Sequence, residues 1–201
     1  MITLRLATDY MQGLRLDFFI SPVCFFIYLL YNITINTPER SDAMKRIMFV
    51  CHGNICRSPM AEFIFRKMTR ESKTDLHFLV ESSATSTEEI WGNVGNPVYP
   101  PAKAELLKHG ISCDGKRAVQ LKKSDYEKYD LFVAMDSMNV RNIMKIFGKD
   151  PQNKVCKLMS FTDRDGDVAD PWYTRRFDVT YKDIYDGCVG LLDYLEKEND
   201  I

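Results

Sequence analysis

The chain has 201 residues, 45% of them hydrophobic, and its 27 basic and 28 acidic residues give a formal net charge of −1. This length and apolar content suffice for a sizeable core, and no block of like charge indicates nucleic-acid binding or contact with an anionic membrane. The cysteines and the three histidines form no zinc pattern, and the cysteines lack the spacing of a small disulfide scaffold; the cysteines stand at positions 24, 51, 56, 113, 156 and 188. Composition therefore favours a globular protein of a reducing compartment, expected in the cytoplasm and without a metal ion or other cofactor.

The first 43 residues differ in composition from the rest of the chain. Positions 18–31 are mostly apolar, but this run is shorter than the ~20 residues that span a bilayer, and Pro22 interrupts it. The polar residues that follow do not resemble a signal-peptide cleavage site. Because Met44 directly precedes the first predicted strand, we expect translation to begin there, with residues 1–43 as an extension, residues 44–201 as the domain, and no membrane association. If residues 1–43 are part of the protein, the apolar run indicates a membrane anchor instead.

A short apolar run at 47–50, typical of a buried strand, precedes the segment Cys51-His52-Gly53-Asn54-Ile55-Cys56-Arg57-Ser58-Pro59. In such a segment the backbone N–H groups of a tight loop and of a helix start converge on an anion, and the same positive field favours a thiolate. Arg57 adds a planar pair of donors that matches phosphate oxygens. Ser58 is expected to cap the helix, with Pro59 at its first position, or to donate its hydroxyl to the sulfur. The segment predicts a phosphate-binding loop with Cys51 as a nucleophile.

The order of these residues, followed by Met60-Ala61-Glu62, resembles the active-site loop of the low-molecular-weight protein tyrosine phosphatases. The resemblance extends from about Arg46 to the C-terminus. It implies hydrolysis of phosphotyrosine monoesters through a phosphocysteine intermediate, with a phosphotyrosine-containing protein or peptide as the partner. We expect the chain to be a monomer, because the sequence suggests no stable interface.

Downstream of the loop, apolar runs alternate with helical periods, as in a doubly wound sheet. Strands are predicted at 47–50, 76–80, 131–135 and 155–159, and helices from Ser58, at 101–109, at 138–147 and near the C-terminus. The last helix has one apolar face, formed by Ile184, Cys188, Leu191, Leu192 and Leu195. We therefore expect an α/β fold with a four-stranded parallel sheet and helices on both faces. Ligands of such sheets bind beyond the carboxyl ends of the strands, which is where the Cys51 loop leaves the first strand.

A second signature, Asp170-Pro171-Trp172-Tyr173, also resembles the family. Pro171 restricts Asp170 to an extended backbone, so the carboxylate is held in one place. The resemblance implies that Asp170 protonates the leaving phenolate and then acts as a base toward the hydrolysing water. It also implies that Trp172 and Tyr173 border the cleft and contact the substrate ring.

Other positions in and near the loop are expected to support it. Asn54 is expected to bond the loop backbone and hold the loop open, and to bond Ser82, although asparagine is also common in ordinary left-handed turns. Gly53 and His52 complete the phosphate-binding loop, with the His52 side chain pointing away from the phosphate. Cys56 resembles the partner of a reversible disulfide with the nucleophile; alternatively, it is a small buried thiol packed under the loop.

The expected substrate walls combine apolar and aromatic side chains. Ile55 lines the mouth of the cavity and favours an aryl phosphate, since the related protein arginine phosphatases have a threonine at that position. Where the mammalian pattern has an aromatic residue, this chain has Glu88, and we expect Trp91, three residues on, to form that wall. Asp136 matches a family aspartate near the site; we expect it to cap the helix that begins near Met138 and assign it no catalytic role.

Two alternative activities use the same fold, namely protein arginine phosphatase and thiol-dependent arsenate reductase. The reductase needs two further cysteines in a mobile segment, and none occurs at 134–139, after the third predicted strand. A binding module without activity would be expected to lack Cys51 or Asp170, and both are present.

Overall fold

The computed structural model describes residues 44–164 and 166–199. The expectations about residues 1–43, including the start at Met44 and the apolar run at 18–31, lie outside these residues. None of the helices in the described part of the chain combines the length and the hydropathy that crossing a bilayer requires.

The described residues form six strands and five helices. The strands are β1 (Lys45–Cys51), β2 (Phe78–Ala84), β3 (Ile90–Trp91), β4 (Val94–Gly95), β5 (Leu131–Ala134) and β6 (Val155–Lys157). The helices are α1 (Arg57–Ser72), α2 (Pro100–Lys108), α3 (Ser137–Phe147), α4 (Pro171–Thr174) and α5 (Phe177–Asn199). Short 3₁₀ turns lie at Asp75–His77, Lys123–Asp125 and Leu158–Phe161.

The main sheet is parallel throughout and has the strand order β2-β1-β5-β6. Successive residues of β1 face opposite sides of the sheet and pack into two different hydrophobic cores. Phe49 belongs to the core under α1 and α5, and Val50 belongs to the core under α3. Burial on both faces is typical of parallel strands whose crossovers are helices. The expected α/β fold, with a four-stranded parallel sheet and helices on both faces, is confirmed.

The central strand brings the site to one edge of the sheet. Cys51 ends β1, pairs with Ala84 at the end of β2, and follows Val50, which pairs with Ala134 at the end of β5. The segments that leave these three strands therefore start side by side.

Several predicted boundaries are wrong. The second strand does not start at Leu76, which lies in a 3₁₀ turn, and it extends to Ala84 through two buried serines that hydrophobic periodicity does not mark as strand. The fourth strand ends at Lys157, and a 3₁₀ turn follows. Sequence patterns did not predict β3, β4 and α4, because elements of two to four residues carry no periodicity.

Helix α1 starts earlier than predicted. The N–H of Met60 donates to the carbonyl oxygen of Cys56, so the helix begins at Arg57 and Ser58 is not its cap. Pro59 is accordingly the third helical residue. Because Ser58 does not cap the helix, its hydroxyl is available to the thiol of Cys51.

Helix α5 carries the apolar face that the sequence predicted, with Ile184, Cys188, Leu191 and Leu195 fully buried and Leu192 partly buried. Its glycines permit a close approach to the 3₁₀ turn at Leu158–Phe161. A Cβ atom at Gly190 would overlap the carbonyl oxygen of Phe161, and one at Gly187 would lie 2.5 Å from Cγ of Leu158.

Gly190→Ala is expected to lower the free energy of unfolding by about 1–3 kcal/mol, because the helix must move away from the turn. In an open helix the same change would raise stability by about 1 kcal/mol. Urea denaturation measures the sign. Asp193→Ala, at an exposed position of the same helix, is the control and is expected to cause no loss; increased stability of Gly190→Ala would contradict the close packing.

Candidate active site

The thiol of Cys51 is nearly buried at the end of β1 and meets two donors. The backbone N–H of Asn54 lies 3.3 Å from the sulfur, and the Ser58 hydroxyl oxygen lies 3.0 Å from it. Hydrogen bonds to the charged form of a group stabilise that form. The loop is therefore built to hold a sulfur anion. Of the two roles expected for Ser58, the structure supports the contact with the sulfur and not the helix cap.

Asn54 supports the loop from beneath and is fully buried. Its backbone is left-handed, with φ of 56°, which asparagine tolerates better than most residues. Its amide nitrogen donates to the hydroxyls of Ser58 (2.9 Å) and Ser82 (2.8 Å), and its oxygen accepts from the N–H of Val119 (3.0 Å). The predicted bond to Ser82 is confirmed, whereas the predicted bond to the loop backbone is wrong, because the Asn54 side chain bonds these three partners instead.

The direction of these bonds orients both serine hydroxyls. Because Ser58 accepts from Asn54, its own proton points either at the sulfur, 3.0 Å away, or at the carbonyl oxygen of Ser83, 3.4 Å away. Ser82 likewise accepts from Asn54 and donates to Glu62, at 2.6 Å. Glu62 is 2% exposed and pairs with Lys116 at 2.7 Å. A single network thus runs from a buried ion pair to the thiol.

Arg57 is held by two carboxylates from distant parts of the chain. Its two terminal nitrogens lie 2.6 Å from Asp136 and 2.7 Å from Asp170, and its side chain is 5% exposed. Burial alone would lower the pKa of Arg57, but the negative charges of Cys51, Asp170 and Asp136 raise it above the usual value. The guanidinium is consequently a permanent cation beside the thiol.

Each of the two carboxylates also caps the N-terminus of a helix. Asp136 accepts from the N–H of Asn139 and caps α3, as expected; sequence reasoning missed its bond to Arg57, although its place after β5 pointed to the same edge of the sheet. Asp170 has an extended backbone and accepts from the N–H of Trp172 at 2.9 Å. Each carboxylate is therefore held through both of its oxygens, one bonded to Arg57 and the other to a backbone N–H.

These groups surround a cavity of about 660 Å³. The predicted residues that line it are Cys51, His52, Gly53, Ile55, Cys56, Arg57, Asp170, Trp172 and Tyr173. Asn54 and Ser58 are fully buried and are not among the lining residues. Further lining residues that the sequence did not single out include Glu89, Met138, Asn139 and Asn142.

The prediction that Trp91 forms a wall of this cavity is wrong. Trp91 is 73% exposed and is not among the lining residues. It lies beside the Gly92 turn of the β3–β4 hairpin, which carries its ring into solvent. Glu88 and Glu89, which precede the hairpin, line the cavity instead.

The aromatic wall on the other side consists of Trp172 and Tyr173. The Trp172 ring packs against Tyr99, with ring centroids 5.8 Å apart. Tyr173 is 83% exposed and extends the wall outward.

His52 and Cys56 differ in their surroundings. The His52 ring is exposed and bonds Glu88 at 2.9 Å; that it points away from the phosphate stays a prediction. Burial, followed by the charges of Cys51 and Asp170, raises the pKa of Cys56 to about 12. Cys56 is therefore a neutral thiol at pH 7. Both cysteines of the loop are free, and the disulfide between them stays a prediction.

Anion-binding donors, a stabilised sulfur and a fixed carboxylate allow a phosphoryl group to be moved to sulfur and then to water. At the carboxyl edge of a parallel sheet, these features define a cysteine-dependent phosphatase. A sequence model of the family described as low molecular weight phosphotyrosine protein phosphatase matches residues 46–200. The chain belongs to this family.

Named relatives agree with this assignment. The low molecular weight protein-tyrosine-phosphatase YfkJ of Bacillus subtilis is 34% identical over 160 residues, which cover 79% of this chain and 100% of the relative. PtpA of Staphylococcus aureus, described in the same words, is 36% identical over 157 residues, covering 77% and 96%.

Solved structures have the same fold. The crystal structure of YfkJ matches with a TM-score of 0.73 at 32% identity, covering 78% of this chain and 97% of that one. The low molecular weight protein tyrosine phosphatase SP-PTP of Streptococcus pyogenes matches with a TM-score of 0.66 at 35% identity, covering 76% and 93%.

Asn54→Gly is expected to lower the free energy of unfolding by about 1–3 kcal/mol, because it leaves buried partners unpaired while keeping the left-handed backbone. Asn54→Ala adds about 1–2 kcal/mol of backbone strain. Urea denaturation measures both variants.

Asn153→Gly is the matched control, since Asn153 is also left-handed but exposed. It is expected to change stability by less than about 0.5 kcal/mol. Equal effects at the two positions would show that the amide of Asn54 contributes nothing.

Proposed function

We propose that this chain hydrolyses phosphotyrosine monoesters in proteins through a phosphocysteine formed on Cys51. The observation that carries the proposal is the placement of Cys51, Arg57 and Asp170 in one cavity beside the Trp172 ring. The family membership and the relatives named protein-tyrosine-phosphatases support the same substrate class.

In the first step the phosphate enters the loop, where backbone N–H groups and Arg57 stabilise the equatorial oxygens of the transition state. The sulfur of Cys51 attacks phosphorus and a sulfur–phosphorus bond forms. When the phosphate replaces Asp170 on Arg57, Asp170 takes up a proton from solvent, and the bond from phosphorus to the tyrosine oxygen breaks as Asp170 transfers that proton to the oxygen. Tyrosine leaves as a neutral phenol, and Asp170 is left ionised.

In the second step water attacks the phosphocysteine. Asp170 accepts a proton from the water, the sulfur–phosphorus bond breaks, and inorganic phosphate is released. The thiolate that leaves is stabilised by the Ser58 hydroxyl and the N–H of Asn54, which are the donors at the sulfur. These donors therefore act in both steps, since sulfur carries charge before attack and after release.

Asp136 has a different part in this mechanism. It holds the guanidinium of Arg57 from the α3 side, and we assign it the orientation of that group. Asp136 thus acts through Arg57, whereas Asp170 exchanges protons with the substrate.

The walls favour an aryl ester. Ile55, Trp172 and Tyr173 present apolar surface to the ring of phosphotyrosine. A catalytic thiolate also needs a reducing environment, so the proposal includes a cytoplasmic location. It treats the enzyme as a monomer.

The proposal is tested by hydrolysis of matched phosphotyrosine, phosphoserine and phosphoarginine peptides by the full chain, with EDTA present and vanadate as competitor. Release from phosphotyrosine, resistant to EDTA and inhibited by vanadate, is expected. Release mainly from phosphoarginine would keep the mechanism and contradict the role given to Ile55. If no peptide is hydrolysed, arsenate reduction becomes the assay, and activity there would replace the proposal.

The role of Asp170 is tested with two isosteric variants, Asp170→Asn and Asp136→Asn. Each removes one carboxylate from Arg57 and keeps a capping oxygen, but only Asp170→Asn removes the proton donor. Asp170→Asn is expected to lower turnover of phenyl phosphate on the order of 10²- to 10⁴-fold, and turnover of p-nitrophenyl phosphate much less, because p-nitrophenolate leaves without a proton.

Asp136→Asn is expected to lower both rates by the same factor, and Cys51→Ser to abolish both. If Asp170→Asn reduced the two rates equally, Asp170 would not be the acid.

A further inference from the structure

We propose that Glu88 and Glu89 make this enzyme selective for phosphotyrosine that has a lysine or arginine beside it, and unfavourable to phosphotyrosine in acidic segments. The inference rests on the proposed function and names the substrate class of the same site.

The position of these glutamates is fixed by the phosphate-binding loop. Beyond β2, the N–H of Thr85 donates to the carbonyl oxygen of Cys51 and that of Ser86 to His52, each at 2.9 Å. Glu88 then bonds the Ser86 hydroxyl through its backbone N–H, at 3.1 Å. The chain that carries the carboxylates therefore runs alongside the loop.

Glu89 packs directly over the loop. A Cβ atom at Gly53 would lie 3.0 Å from Cγ of Glu89. The Glu89 carboxylate accepts from the side-chain amide of Asn96 at 2.8 Å, and its carbonyl oxygen accepts from the N–H of the same residue. Its charge is consequently held at the mouth of the cavity.

The charges around the cavity are unequal. Four carboxylates and one guanidinium line it. Asp136 and Asp170 are both paired with Arg57. Glu88 faces the imidazole of His52, with side chains that are 71% and 51% exposed, and Glu89 faces a neutral amide. The field of these two glutamates is therefore open to a peptide that lies across the mouth.

The acidic character is confined to one side. On the opposite wall, the guanidinium of Arg175 lies 5.5 Å from the centroid of the Trp172 ring. A phosphotyrosine ring between the walls places one flank of its peptide near the glutamates and the other near Trp172. A lysine is thus favoured on one flank of the phosphotyrosine and gains little on the other.

The size of the effect follows from solvent exposure. A single exposed charge pair contributes about 0.2–1 kcal/mol, and replacing lysine by glutamate in the peptide turns attraction to two carboxylates into repulsion. We expect kcat/KM to differ by about tenfold between matched lysine and glutamate peptides at low ionic strength. In about 1 M salt, where the Debye length is about 3 Å, the ratio is expected to approach one.

The test measures kcat/KM of the full chain for phosphotyrosine peptides with a single lysine or glutamate placed at successive positions before and after the phosphotyrosine. The double variant Glu88→Gln/Glu89→Gln keeps the shape of both side chains and the acceptor for Asn96. Its lysine-to-glutamate ratio is expected to fall to about twofold or less. Glu127→Gln, at an exposed position before β5 that is not among the lining residues, is the matched control and is expected to retain the wild-type ratio.

Three results would overturn the inference. A wild-type ratio near one at low ionic strength, with phosphotyrosine still hydrolysed, would remove the selectivity and leave the proposed function intact. A ratio that persists in the double variant would place its source elsewhere on the protein. Absence of hydrolysis of any phosphotyrosine peptide would overturn the proposed function and, with it, the selectivity.

Discussion

The guanidinium of Arg57 is buried with two carboxylates that come from segments more than seventy residues downstream. A buried charge without a partner is strongly unfavourable, so Arg57 requires at least one of these two carboxylates. The phosphate-binding loop, the start of α3 and the segment that precedes α4 are therefore held in one arrangement by a single side chain. The acid of the site takes its position from that group, whereas the thiol is placed by the end of β1 and by its contacts with Asn54 and Ser58.

The parallel sheet explains why such distant segments meet. Strands β1, β2 and β5 end together, and each delivers a different component: the loop from β1, the glutamates from β2 and Asp136 from β5. Asp170 arrives by another route, between the last strand and α5. The fold thus supplies rigid positions at one edge, and the chemistry resides in the short segments beyond it.

Sequence reasoning succeeded where a role is local or where a pattern repeats. The loop from Cys51 to Ser58 is a continuous segment whose spacing indicates anion binding, and the apolar face of α5 follows the helical period. It failed for Trp91, because the orientation of a ring in a two-residue strand depends on a hairpin that no periodicity reveals. It did not find the Glu62–Lys116 pair for a related reason: a buried ion pair between residues more than fifty positions apart leaves no mark in either local segment. The predicted start of α1 was one residue late, because the sequence does not show that the Ser58 hydroxyl contacts the thiol and does not cap the helix.

The contact between Gly53 and Glu89 has an evolutionary consequence. A Cβ atom at position 53 would lie 3.0 Å from Cγ of Glu89, so a side chain there requires the Glu89 side chain to shift. A lineage that acquires a smaller residue at position 89 gains room for a side chain at position 53, at the mouth of the cavity. Divergence in what this fold accepts could therefore begin in the segment after β2, with the phosphate-binding loop changing second.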